Sequence, residues 1–152
     1  MAVANVVEIT DIRASLLVAM DVVSITSEVP KTRWVLDGGR DTNTAKMSDW
    51  IEPTVRFVDE LPSRGARESA VEFEVSIAVR RGANIHRRED IAQAIERTFS
   101  SKVVDVHRHS TSLSSQLIGR IRFEGARYVN GGEVAGIHRG VVTVSGRFYP
   151  TD

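Results

Sequence analysis

Between Ala70 and Arg81 the chain reads AVEFEVSIAVRR. Val71, Phe73, Val75, Ile77 and Val79 fall on one parity, and Glu72, Glu74, Ser76, Ala78 and Arg80 on the other. Only a β-strand places residues i and i+2 on one face, so this run is an amphipathic strand with one side on a core and the other on polar surroundings. Such a strand needs neighbours, and the flanking sequence supplies them. Trp50 to Glu60 reads as a second strand, with Pro53 placing it at an edge or limiting its pairing at that point. The Pro62, Ser63 and Gly65 loop between Leu61 and Glu68 folds the two into a long hairpin over 50–80.

Helical periodicity frames that hairpin. Ile9, Ile12, Leu16, Met20 and Val23 recur at three- and four-residue spacing, with Leu17 and Val18 widening the stripe, so residues 9–23 read as a helix. A second helix runs from Asn84 or His86 to about Ser100, with Ile91, Ile95 and Phe99 on one line and Ala92 and Ala94 beside them. Lys102–Arg108 is a short strand, and Ser110–Ser115 a serine-rich turn. Two long strands, about 117–129 and 134–149, meet around Asn130-Gly131-Gly132. Centring that hairpin between Gly132 and Glu133 places Phe123 opposite Val142, Ile121 opposite Val144, Gly119 opposite Gly146 and Leu117 opposite Phe148. The opposed glycines then either leave a notch, with Phe99 the candidate to fill it, or only permit twist. Parity changes at Gly125 and Gly140, which suggests a bulge or sharp twist. Residues 24–49 carry little pattern beyond a short strand at Trp34–Leu36. The whole is an α+β domain over 1–152, a mostly antiparallel sheet of about five strands with two helices packed on one face.

Composition bounds the function classes. Twenty basic residues balance twenty acidic ones, so no general pull on nucleic acid or anionic lipid is expected. With no cysteine, disulfides and thiolate metal sites are excluded. MAVANVVEIT lacks the features of a signal peptide, and no apolar run is long enough to span a bilayer. The expected setting is a cytoplasm, or a particle assembled in one, with no membrane partner.

No constellation of residues identifies a catalytic, cofactor or metal site. Asp105, His107 and His109 share one strand face and could present metal ligands, with His86 or His138 to complete a set; an exposed polar strand face is the plainer account. Glu72 and Glu74 share a face, as any amphipathic strand would arrange. Gly38-Gly39 and Gly131-Gly132 lack the lysine and strand–helix frame of a phosphate loop. Arg80, Arg81, Arg87 and Arg88, and then Arg120, Arg122 and Arg127, form two basic groups. They are interleaved with Glu89, Asp90 and Glu124 and lack stacking aromatics, which favours solvated faces or salt bridges between subunits.

The order of these segments resembles the tail terminator proteins of tailed bacteriophages, and more loosely other small neck and tail-completion proteins. The resemblance rests on the amphipathic helix ITDIRASLLVAM, the tryptophan strand DWIEPTVRFV, the alternating VEFEVSIAV, the helix REDIAQAIERTF, and the closing pair IGRIRFEGARYVNGGEVAGIHRGVVTVSGRFYP. It covers nearly the whole chain. It implies a non-enzymatic virion protein that forms a ring, commonly a hexamer, capping the tail tube, ending its growth and meeting the neck of the head. Its partners would be copies of itself, the tail tube protein and a head-closure protein, with DNA passing through the lumen. Arg40–Ser48 and the hairpin tip Arg64–Glu68 are the expected contact elements. The alternatives are another neck or tail component, or a small ligand- or metal-binding α+β domain.

Overall fold

The alternating run lies second in a five-stranded antiparallel sheet. The computed structural model describes residues 9–36, 42–57, 69–82, 86–100, 102–108 and 116–151. The strands are β1 (Asp49–Phe57), β2 (Ser69–Arg80), β3 (Val103–His107), β4 (Leu117–Val134) and β5 (Ile137–Pro150). They lie in the order β1-β2-β5-β4-β3, with every neighbouring pair antiparallel. The helices are α1 (Ile9–Met20), α2 (Val23–Glu28) and α3 (Arg87–Phe99), with a 3-10 turn at Lys31–Arg33. The α+β architecture expected from periodicity is the one observed.

Each helix buries the stripe its spacing dictates. Ile12, Leu16 and Met20 of α1 and Ile91, Ile95 and Phe99 of α3 are fully or almost fully buried. They meet Val71, Phe73, Val75, Ile77 and Val79 from β2 and Val142, Val144 and Phe148 from β5 in one core. At its centre Phe99 stands edge-on to Phe73 and Phe123, with ring centroids 5.4 and 5.2 Å away. Edge-to-face pairs of this kind add about 0.5–1.5 kcal/mol each beyond the area they bury. α3 packs on the central strands, whereas α1 touches both β1 and β3, the two edges of the sheet.

The helix expected over 9–23 stops at Met20. Val22 takes an extended conformation (φ −119°, ψ 154°) and caps α2. The unpatterned stretch after it is ordered by contacts that leave no periodic trace. Trp34 donates its indole N–H to the Val29 carbonyl at 2.8 Å, and Val35 N–H reaches the Ile51 carbonyl at 2.8 Å. The strand expected at Trp34–Leu36 is a single parallel bridge from Trp34 to Ile51. Val35, Trp50 and Ala78 form a second, small buried cluster on the opposite side of the sheet from the helices.

The expected hairpin register is incorrect. Phe123 faces Gly146 rather than Val142, Ile121 faces Phe148 rather than Val144, and Gly119 faces Pro150 rather than Gly146. Leu117 pairs with His107 of β3 on its other side. The turn is Ala135-Gly136, with φ of +53° and +78°, and not Asn130-Gly131-Gly132. Positive φ at both central residues suits the twist of a two-residue hairpin. Two bulges, between Phe123 and Gly125 and between Asn130 and Gly132, shift the pairing further. The first is the parity switch expected at Gly125, but Gly140 opposes Asn130 and lies away from it. No open notch remains: the ring of Phe148 lies over Gly119, and that of Phe123 against Gly146.

Candidate functional site

Both principal helices lie on one face of the sheet, and the other face carries the chemistry that the described residues leave open. Strand parity sends Trp50, Glu52, Thr54 and Arg56 of β1 to that side, with Glu72, Glu74, Ser76 and Ala78 of β2 beside them. Across β5 and β4 it presents Thr143, Ser145 and Arg147, then Gly125 and Arg127. The bulge at Gly125 opens a broad depression of about 620 Å³, with Thr143 and Ser145 on its floor, Glu72 and Glu74 on one side and Glu124 and Arg127 on the other. Open ion pairs cross this face: Arg56 Nη1 to Glu74 Oε1 at 3.1 Å, and Arg147 Nε to Glu124 Oε1 at 3.2 Å. Such exposed pairs contribute about 0–1 kcal/mol each, so they tune the surface more than they hold the fold. Among the described residues Arg127, Glu52 and Glu72 have no ion-pair partner.

The histidine set expected from spacing does not come together. Asp105 accepts from Arg120 Nε at 3.0 Å, and the backbone N–H of His107 donates to Ser15 Oγ of α1 at 3.0 Å. His109 lies outside the described residues. His138 pairs along β4 with Glu133, whereas His107 pairs with Leu117 at the other end of that strand. At about 3.3 Å per residue the two cannot share an ion. Among the described residues no three metal-ligating side chains cluster. Gly131-Gly132 lies in the β4–β5 ribbon, and Gly38-Gly39 outside the described residues.

Several arginines of the two basic groups are committed internally. Arg80 donates to the Met47 and Thr44 carbonyls, both at 2.7 Å, and stacks over Trp50 at 5.3 Å from the ring centroid. This clasp holds the described part of the expected contact loop, residues 42–48, on the sheet; the hairpin tip 64–68 lies outside the described residues. Arg87 binds Asp49 (Nε to Oδ2, 3.0 Å) and Glu28. Arg33 Nη1 adds an ion contact to Asp49 Oδ1 at 3.1 Å, outside hydrogen-bond alignment. Asp49 is only 4% exposed, so this is a buried junction of β1, α2, α3 and the 3-10 turn. Its one sequence trace is an acid directly before a tryptophan strand. Near the hairpin, burial pushes the Tyr128 phenol above its ordinary pKa, while the Arg88 guanidinium pulls it the other way.

The lateral edges differ. The β3 edge is covered by α1 through the Ser15–His107 bond, and the start of β1 by Trp34 and Val35. The rest of β1, and β4 beyond the end of β3, carry no strand among the described residues.

No family model and no curated protein matches this chain. Solved structures share its fold. One, a protein whose name states no activity, aligns with a TM-score of 0.59 over 95% of this chain and 96% of its own length at 12% identity. At that identity the likeness is one of fold.

Proposed function

We propose that this chain is a non-enzymatic structural protein of a phage virion, a tail terminator that forms a closed ring on the end of the tail tube. The reading rests on the resemblance in segment order, and the observation that carries it is the form of the sheet. One face is filled by helices, the other is open and carries mixed charge, and two strand edges on opposite sides are uncovered among the described residues. A contact between different edges of successive copies is heterologous, and a heterologous contact that closes makes a ring. Copies of the chain bind one another, one rim meets the tube protein, and the other meets the head-closure protein. The ring ends tube growth at the neck, with DNA passing through its lumen. Assembly takes place in the host cytoplasm and the product resides in the virion. Mixing purified protein with polymerising tube protein tests this: the expected result is shorter tubes capped by rings at one end in negative-stain images, and tubes of unchanged length with bare ends would contradict it.

A further inference from the structure

Beside the first residues of β4 the outer track belongs to β3, and Phe123 N–H still reaches the Lys102 carbonyl at 2.9 Å. Past that point the sheet is four-stranded, β1-β2-β5-β4, and its edges are β1 and β4. One row runs straight across it: Thr54, Glu74, Thr143, Arg127. The next row is Arg56, Glu72, Ser145, Gly125. With four antiparallel strands the two edges run in opposite directions. A second copy set edge to edge in the same orientation therefore offers its β1 antiparallel to β4.

We infer that copies of this chain join head to tail by β1 of one pairing with the Gly125–Val129 stretch of β4 in the next, continuing one sheet from copy to copy. This rests on the reading of the chain as self-assembling and names the contact. Strand edges with unpaired backbone groups are templates for such addition. The backbone parities agree. Ile51 sends its carbonyl outward to Val35, so Pro53 and Val55 also face outward, and the N–H that proline lacks is one β2 does not use. On β4, Phe123 N–H faces outward, and after the bulge the residues in its place are Ala126 and Tyr128. Ala126 then bonds Val55 of the next copy, Tyr128 meets Pro53, and the open faces of the two copies are continuous.

Charge and the covered start of β1 together select the register. In this one Arg127 stands opposite Thr54 of the next copy, with Glu52 on one diagonal, within reach of long side chains, and Arg56, already paired with Glu74 of its own copy, on the other. Arg127 and Glu52 each have no ion-pair partner among the described residues of their own copy. A slip of two residues one way sets Arg127 against Arg56, and like charges directly opposite destabilise a pair. A slip the other way runs into Trp34 and Val35 on Ile51. The open stretch Gly125–Val129 holds neither lysine nor proline, the residues that guard solvent-facing edges; on the β1 edge Pro53 is such a residue and leaves the Tyr128 carbonyl without a donor, so the join rests on the Val55–Ala126 pair and on the Tyr128 N–H to the Pro53 carbonyl.

Disulfide trapping tests the contact, because the chain has no cysteine of its own. Arg56→Cys with Gly125→Cys places two thiols opposite one another across the join. Within one copy the same positions sit three strand spacings apart, roughly 14 Å, too far for a bond. A methyl group at Gly125 meets nothing within 4 Å, so the substitution there is tolerated. The expected result is a ladder of linked chains on non-reducing gels from the double variant, with neither single variant giving one. As a second arm, Arg127→Glu disperses the assembly, and mixing it with Glu52→Arg chains restores it. Wild-type assemblies with no ladder and no effect of the charge reversal would overturn this contact while leaving the ring reading standing. A wild-type chain that stays monomeric would overturn both.

Discussion

The ring of Phe148 lies against Gly119: a methyl group there would sit 2.2 Å from Cζ of the ring and 2.7 Å from the Tyr149 carbonyl oxygen. The glycine makes room for a ring that is itself fully buried at the end of the core. Gly119→Ala should therefore destabilise the fold by about 1–3 kcal/mol through overpacking. Gly125→Ala, where the added methyl meets nothing within 4 Å, should stay within about 0.5 kcal/mol of wild type. Urea unfolding of the two variants side by side checks the contrast.

Asp49 is the carboxylate on which Arg33 and Arg87 converge. Removing one partner of a buried ion pair costs about 3–5 kcal/mol. Arg33 and Arg87 keep 27% and 21% of their side chains exposed, which places Asp49→Ala at or below the bottom of that range. Arg56→Ala breaks a pair whose arginine is 62% exposed and should cost no more than about 1 kcal/mol. Thermal unfolding at matched pH separates the two.

Phe99 joins α3 to Phe73 and Phe123 and is fully buried. Phe99→Ala should cost about 3–5 kcal/mol, and Phe99→Leu clearly less, as read from denaturant midpoints.

Tyr128 links the stability of the fold to pH on the alkaline side. Burial raises its pKa in the folded chain above the ordinary value, so the folded state holds the phenolic proton more tightly than the unfolded one. That contribution is fully present below about pH 10 and is lost as pH rises through the folded pKa. Tyr128→Phe should flatten stability against pH in this window, measured by urea midpoints across the alkaline range.

Element boundaries were legible to within a few residues in β2 and α3, whereas the helical spacing over 9–23 ran on past Met20, where α1 ends. The hairpin register was not legible. Asn130-Gly131-Gly132 has turn composition but lies within β4, and the turn falls at Ala135-Gly136, where an alanine takes a φ of +53°. Local preference opposes that placement, and pairing of β5 with both β2 and β4 overrides it. Ala135→Asn should accordingly stabilise the chain by about 1 kcal/mol, seen as a raised melting temperature. The polar face was legible from the parity of 71–79, but its depression was not, because it depends on a bulge that aligns Gly125 with Ser145. The Asp49 junction was hidden for another reason: its arginines come from segments far apart in the chain, and an ion pair leaves no periodic signature.

The most direct test of a ring-forming protein is its mass in solution, by light scattering with negative-stain imaging of the same sample. The account predicts one closed assembly of discrete mass, a hexamer in the form the resemblance implies, seen as rings with a central opening. A chain that remains monomeric at the highest concentrations reached would contradict it.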